Sequence, residues 1–220
     1  KTNSAKPNTG TMTEDTNTAI PVKAHRPLSQ CLLLSLFILI LATSLAPPSD
    51  PRSRKALLLL HLLACASWFG CSVWVSCVAG LVTFRALPRH VFGRLMARLF
   101  PVYFNFSAVT VSLAAAAARG LGWPIAWLAA ILGTVAANLL YLEPETTRVM
   151  FLRHVVERRL GTGHEVGQLK PSDPAKANDP ELRALTKKFG MLHGISTLLN
   201  LMAMGFGCVW FSILAQKITV

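Results

Sequence analysis

The chain has 220 residues, of which 52% are hydrophobic and only 15% charged, and its mean hydropathy is +0.46. That balance excludes an ordinary soluble domain and points to an integral membrane protein. The formal charge of +12 does not indicate nucleic-acid binding, because the basic residues lie almost wholly between apolar runs and no basic and aromatic surface is interleaved.

Residues 1–29 hold almost no large apolar side chain beyond Ile20 and Val22. Such an arm cannot alone offset an ordering cost of about 1 to 2 kcal/mol per residue, so it is expected to be extended and held by other membrane protein subunits. A chain that begins without methionine also fits removal of a targeting segment.

A helix needs roughly 20 apolar residues to cross a hydrocarbon core about 30 Å thick, and five runs approach that length. The first, at about 30–47, stops at Pro47 and Pro48. Its Ser44-Leu45-Ala46 looks like a signal-cleavage site, but Pro47 directly after it favours a retained anchor. The second run covers about 56–84, the third 99–118, the fourth 123–142, closed by Pro144, and the last 190–215. Between the last two, residues 145–160 place Val149, Leu152, Val156 and Leu160 at helical spacing among arginines, as in a helix lying at the membrane surface. Residues 161–178 read as a linker. Asp179-Pro180-Glu181 then supplies a cap, a first-turn proline and an early acid for a helix leading into the last span.

If all five runs span, one face carries 17 of the Lys and Arg residues and the other carries 5, namely Arg52, Arg54, Lys55, Arg119 and Lys217. Basic residues stay on the side from which a chain inserts, so the N-terminus is expected on the cytoplasmic, matrix or stromal side. The five cysteines, Cys31, Cys65, Cys71, Cys77 and Cys208, all fall in apolar runs with no zinc spacing, and are expected to be small core residues.

Three stretches, FRALPRHVFGRLMARLFPVYF (84–104), LEPETTRVM (142–150) and HGISTLLNL (193–201), with HLLACASWFGCSVWVS early in the second run, together resemble the transmembrane protein 205-like family over about residues 56–215. The resemblance implies a four-helix membrane core and no agreed activity; the segment read above supplies its long amphipathic loop at 143–189. The fold class expected is therefore all-α, five transmembrane helices, with one extra N-terminal span added to the family-like bundle.

Polar groups at membrane depth are costly and so are candidates for function. Asn105 and Ser107 begin the third run, Asn138, Tyr141 and Glu143 end the fourth, and His193, Ser196, Thr197 and Asn200 share one face of the last. These groups are expected to form a polar pocket near the basic face, with Arg85 and Arg148 able to neutralise Glu143. The favoured reading of these groups is a structural network of hydrogen bonds between helices, with Asn138 and Asn200 suited to it, ahead of lipid or small-ligand binding. His61 lies near the other face, so a bis-histidine site with His193 is not expected. It reads as an interfacial histidine bonded to a nearby carbonyl, or as an isolated axial ligand of haem or chlorophyll. Small residues at Ala64, Ser67, Cys71, 114–118, Gly133, Ala137, Gly205 and Gly207 suit close helix approach, and the five tryptophans suit interface anchoring.

Catalysis would need a nucleophile with a base, paired carboxylates or a phosphate loop, and none is legible. No metal ligand set is read either. The expectation is a non-catalytic accessory or scaffold subunit in a thylakoid or mitochondrial inner-membrane complex. Its alternatives are a haem-, pigment-, metal- or lipid-binding membrane protein, or a small-molecule transporter.

Overall fold

The computed structural model describes residues 35, 37–38, 47–166 and 178–218, and the long apolar runs among them form four helices. They are α1 (Pro51–Ala86), α2 (Arg89–Gly120), α3 (Ala126–Arg159) and α4 (Pro180–Ile218). All four are long and apolar enough to cross a membrane. The arm at 1–29 lies outside the described residues, as does almost all of the run at 30–47 expected to form a fifth span.

At 1.5 Å per residue the helices are roughly 50 to 60 Å long, so each outreaches a hydrocarbon core of about 30 Å. Their starts are locally encoded. Asp50 Oδ1 accepts a hydrogen bond from Ser53 N at 2.8 Å ahead of α1, and Asp179 Oδ1 accepts one from Leu182 N at 2.9 Å ahead of α4, each with proline next in the chain. Gly122, at φ 76°, takes the left-handed turn that ends α2.

Two expectations about the polar segment need correction. Residues 145–160 do not form a separate surface helix, and Pro144 does not close the fourth span, because α3 runs on to Arg159. The physical reason is a π-helical turn at Asn138–Leu142, where the Glu143 N–H reaches back five residues to the Asn138 carbonyl. That wider turn precedes Pro144 directly, and the helix passes the proline there as α2 passes Pro101. The stripe read as facing lipid headgroups instead packs on α4: Val149 is buried with Leu142 and Leu192, and Leu185 and Phe189 lie against them.

The main core lies toward the end of the bundle where α1 starts and α2 finishes. It joins Trp68 of α1, the alanines Ala114, Ala115 and Ala118 of α2, Leu128 and Ile131 of α3, and Trp210 of α4. Trp68 and Trp210 are thus core residues, whereas Trp74 faces outward at 61% exposure, so anchoring does not describe all five tryptophans. Of the cysteines, Cys65 is buried but Cys77 and Cys208 are exposed, which corrects the expectation that all pack inside. Ser67 also faces out, and Gly133 and Gly205 meet nothing that would clash with a Cβ.

Candidate functional site

The opposite half of the bundle opens around two π turns. One, Trp74–Ala79, interrupts α1, and the other, Asn138–Leu142, interrupts α3. A single turn of α4 contacts both. Asn200 Nδ2 donates to Ser76 Oγ at 2.7 Å and its Oδ1 accepts from the Tyr103 hydroxyl at 2.7 Å, while Ser196 Oγ donates to Asn138 Oδ1 at 2.5 Å. Tyr103 also lies 3.0 Å from Ser72 Oγ. Hydrogen bonds of this kind between membrane helices contribute on average about 0.6 kcal/mol each.

Above this network the helices enclose a cavity of about 1100 Å³. Its deep wall includes Ser76, Phe104, Glu143 and Asn200, and its rim reaches Phe84, Arg89, Glu157 and Leu182 at the basic end. Most of the lining between them is apolar, with Leu81, Phe92, Met96 and Phe100 among it. From Phe104 to Arg89 the wall rises about 22 Å along α2. That rise covers much of the depth of a hydrocarbon core about 30 Å thick.

Charge is gathered at the rim. Arg89, Arg153, Arg183 and Lys187 line it, against Glu157, while Glu143 lies deeper in the wall. Glu157 is only 2% exposed and takes three partners: His90 Nε2 at 2.8 Å, Arg153 Nε at 3.2 Å and Arg89 Nε at 3.4 Å. Arg153 also lies over the Phe189 ring, 4.7 Å from its centroid. His154 sits beside His90, with ring centroids 4.3 Å apart. The segment 161–166 folds back on the start of α2, where the Arg89 and His90 N–H groups donate to the carbonyls of Glu165 and Gly163 at 2.9 and 3.1 Å. This satisfies two of the donors that a helix start leaves open.

The expected pocket residues separate into two groups. Glu143, His193, Ser196, Thr197 and Asn200 line the cavity, and Asn138 is bonded to its wall through Ser196. Asn105 does not line it: its Nδ2 donates to the Pro101 carbonyl at 2.6 Å, one turn back. Tyr141 points outward at 66% exposure, and Ser107 is buried without lining the cavity. Arg148 does not neutralise Glu143, since it pairs with Glu145 at 2.7 Å, and Lys188 reaches the same carboxylate at 2.8 Å. Glu143 instead accepts from Thr147 Oγ1 at 2.9 Å.

His61 stands apart, in the far half of the bundle. It is fully buried within the bundle, and both ring nitrogens are engaged between helices. Nδ1 lies 2.8 Å from the Ala114 carbonyl, to which it donates, and Nε2 accepts from Trp210 Nε1–H at 3.0 Å. The carbonyl belongs to α2, not to the preceding turn of α1. No lone pair is left in this arrangement for an axial bond to haem or chlorophyll. His193 lies 17 residues before Trp210 on α4, about 25 Å along the axis, so the two histidines are at opposite ends.

His90, His154 and Glu157 were absent from the expected site. The available signal was His154-x-x-Glu157, a spacing that puts an imidazole and a carboxylate on one helical face. Their meeting with His90 depends on how far α3 extends.

A family model described as "Domain of unknown function (DUF4149)" matches residues 63–155. That span takes in most of α1, all of α2 and nearly all of α3, with His90 and His154 inside it and Glu157 just beyond. The chain is 30% identical to Transmembrane protein 205 of Danio rerio over 165 residues, covering 68% of this chain and 86% of that protein. No solved structure matches it. On that identity and coverage, with four membrane-crossing helices arranged around the cavity, the chain belongs to the transmembrane protein 205-like family of integral membrane proteins.

Proposed function

We propose that this protein is a non-catalytic membrane protein that holds an anionic lipid in the cavity, its phosphate-bearing head at the rim and its acyl chains against the apolar wall. The carrying observation is the 1100 Å³ cavity with Arg89, Arg153, Arg183 and Lys187 at one end. Its volume is just above the ~300 to 1,000 Å³ common for small-molecule sites, and long acyl chains need such room. Arginines recognise phosphate oxygens through their fixed fork of donors, and basic side chains at headgroup depth favour anionic lipid. The polar groups of the deep wall, Tyr103, Asn200, Ser76, Ser196 and Asn138, bond to one another across helices, which suits a rigid floor better than a reactive centre.

The sequence of the arm at 1–29 and the added run at 30–47 support an accessory-subunit role in an organelle membrane, with neighbouring subunits holding the arm, and the 17 to 5 split of basic residues supports an N-terminus on the stromal or matrix side. A lipid held at the rim of the bundle suits a subunit packed among others. One experiment tests both readings: native mass spectrometry of the protein released from its own membrane. The expected spectrum holds an anionic phospholipid in preference to a zwitterionic one, and the preference falls in the Arg153→Gln/Lys187→Gln variant. Equal retention of both lipid classes by the unaltered protein rejects the lipid site. A bare monomer, with or without lipid, rejects the accessory role.

A further inference from the structure

We propose that His90, His154 and Glu157 form a binding site for a divalent transition-metal ion of the zinc class at the rim of the cavity. The three side chains come from the start of α2 and the end of α3, and one donor atom from each lies within 4.8 Å of the others. All three residues are buried, at 7%, 4% and 2% exposure. His90 Nε2 and Glu157 Oε2 are already 2.8 Å apart, and His154 Nε2 is buried with no hydrogen-bond partner. A buried nitrogen left without a partner is costly, and a metal ion is the ligand that uses its lone pair together with the other two donors.

The surroundings are shaped around the two imidazoles. A Cβ at Gly93 would stand 2.6 Å from His154 Cε1, and one at Gly163 would overlap the His90 ring. Gly163 also needs its φ of 101°, which side-chain-bearing residues rarely adopt. The backbone bonds from His90 and Arg89 to Gly163 and Glu165 hold that loop against the site. Glycine therefore stands at both places where a larger residue would displace a ligand.

Two imidazoles and one carboxylate match the donor set of a three-ligand zinc centre, with the fourth position open toward the cavity. Magnesium and calcium prefer oxygen donors and fit less well. The charges facing the site decide how the carboxylate is used. Arg89 and Arg153 both approach Glu157 Oε1, whereas Oε2 faces His90. The guanidiniums oppose a dication, but both stand at Oε1, so one oxygen meets the arginines and the other is left to meet the metal. Glu165 offsets part of the positive charge through its 3.2 Å pair with Arg89, while Arg158 and His164 stand nearby without closing the set. Metal binding replaces the His90–Glu157 hydrogen bond: the Nε2 proton that Glu157 accepts is displaced, and the neutral ring then carries its one proton on Nδ1.

Arg89 and Arg153 border both sites through Glu157, but none of the three metal ligands is assigned to the lipid, and the metal titration uses no lipid, so the two readings can fail separately. The test uses the full chain, purified in detergent with any tag removed and stripped by a chelator, then titrated with Co²⁺ as a visible stand-in for Zn²⁺. One Co²⁺ per chain is expected, with intensified d–d bands that Zn²⁺ abolishes. His154→Ala and His90→Ala should weaken binding at least about tenfold, on the scale seen when a metal site loses a supporting group. His164→Ala and His193→Ala should leave it unchanged. Zn²⁺ should also raise the melting temperature of the unaltered protein and not that of His154→Gln, which keeps a polar group in place if the alanine variant fails to fold. Absent Co²⁺ binding, binding retained in both His154 variants, or binding lost in His193→Ala would each overturn the assignment.

Discussion

His61 shows how one polar side chain is reconciled with the interior of a membrane bundle. It links three helices: α1 carries it, α2 supplies the Ala114 carbonyl and α4 supplies the Trp210 indole N–H. Its ring meets Trp123 and Trp210 edge-on, with centroids 5.6 and 5.5 Å away. Replacing His61 by alanine leaves the Trp210 donor without a partner and opens a cavity, at a cost of about 2 to 4 kcal/mol. Thermal unfolding in detergent should then fall by about 5 to 15 °C. The visible spectrum of the purified protein should be the same with and without His61. A porphyrin band that disappears in the variant would restore the axial-ligand reading.

Helix contacts in the far half depend on close approach, and α4 gives a direct case. A Cβ on Gly207 would stand 2.8 Å from Trp68 Cζ3 of α1. Gly207→Val must therefore push the two helices apart or turn the Trp68 ring, and overpacking of this kind costs about 1 to 3 kcal/mol. The same change at Gly205, which meets nothing within 4 Å, should be close to neutral. Melting temperatures of the two variants, measured side by side, check the contrast, and equal losses would contradict this packing. In the other half the helices are kept apart instead. The π turns of α1 and α3 face one turn of α4, whose Ser196 and Asn200 bond to Asn138 and Ser76, and the cavity opens above them.

Across the bundle, the two ends differ in what they expose. The connections at Leu87–Pro88 and 160–166 lie at the basic end, and the turn at 121–125 lies at the other with Lys217. Lys217 sits over the Trp123 ring at 5.6 Å, which ties the end of α4 to that turn. Single cysteines placed at His164 and Lys217, in a background lacking the native ones, should be labelled from opposite faces of the membrane. A cysteine at Lys23 should follow His164 if the run at 30–47 spans. Labelling of Lys23 together with Lys217 would remove the fifth span, and labelling of His164 together with Lys217 would contradict the four-helix arrangement.

The four crossing helices were legible because hydropathy over about 20 residues records directly how much chain must leave water. The start of α4 was legible because Asp179 and Pro180 act on their immediate neighbours. The far end of α3 was not, since Pro144 is locally a stop signal, yet the helix passes it just after a π turn packed against α4 and runs on to Arg159. From that extension follows the rest of the basic end. His154 and Glu157 reach His90 only because α3 continues to the level where α2 begins. His61 and Asn105 went the other way: their residue types marked them as polar groups in an apolar setting, but their partners were chosen by packing. Composition and spacing report which segments enter the membrane, a property summed along the chain. Which polar side chains meet depends on helix length, rotation and register, and those are settled only when the helices pack together.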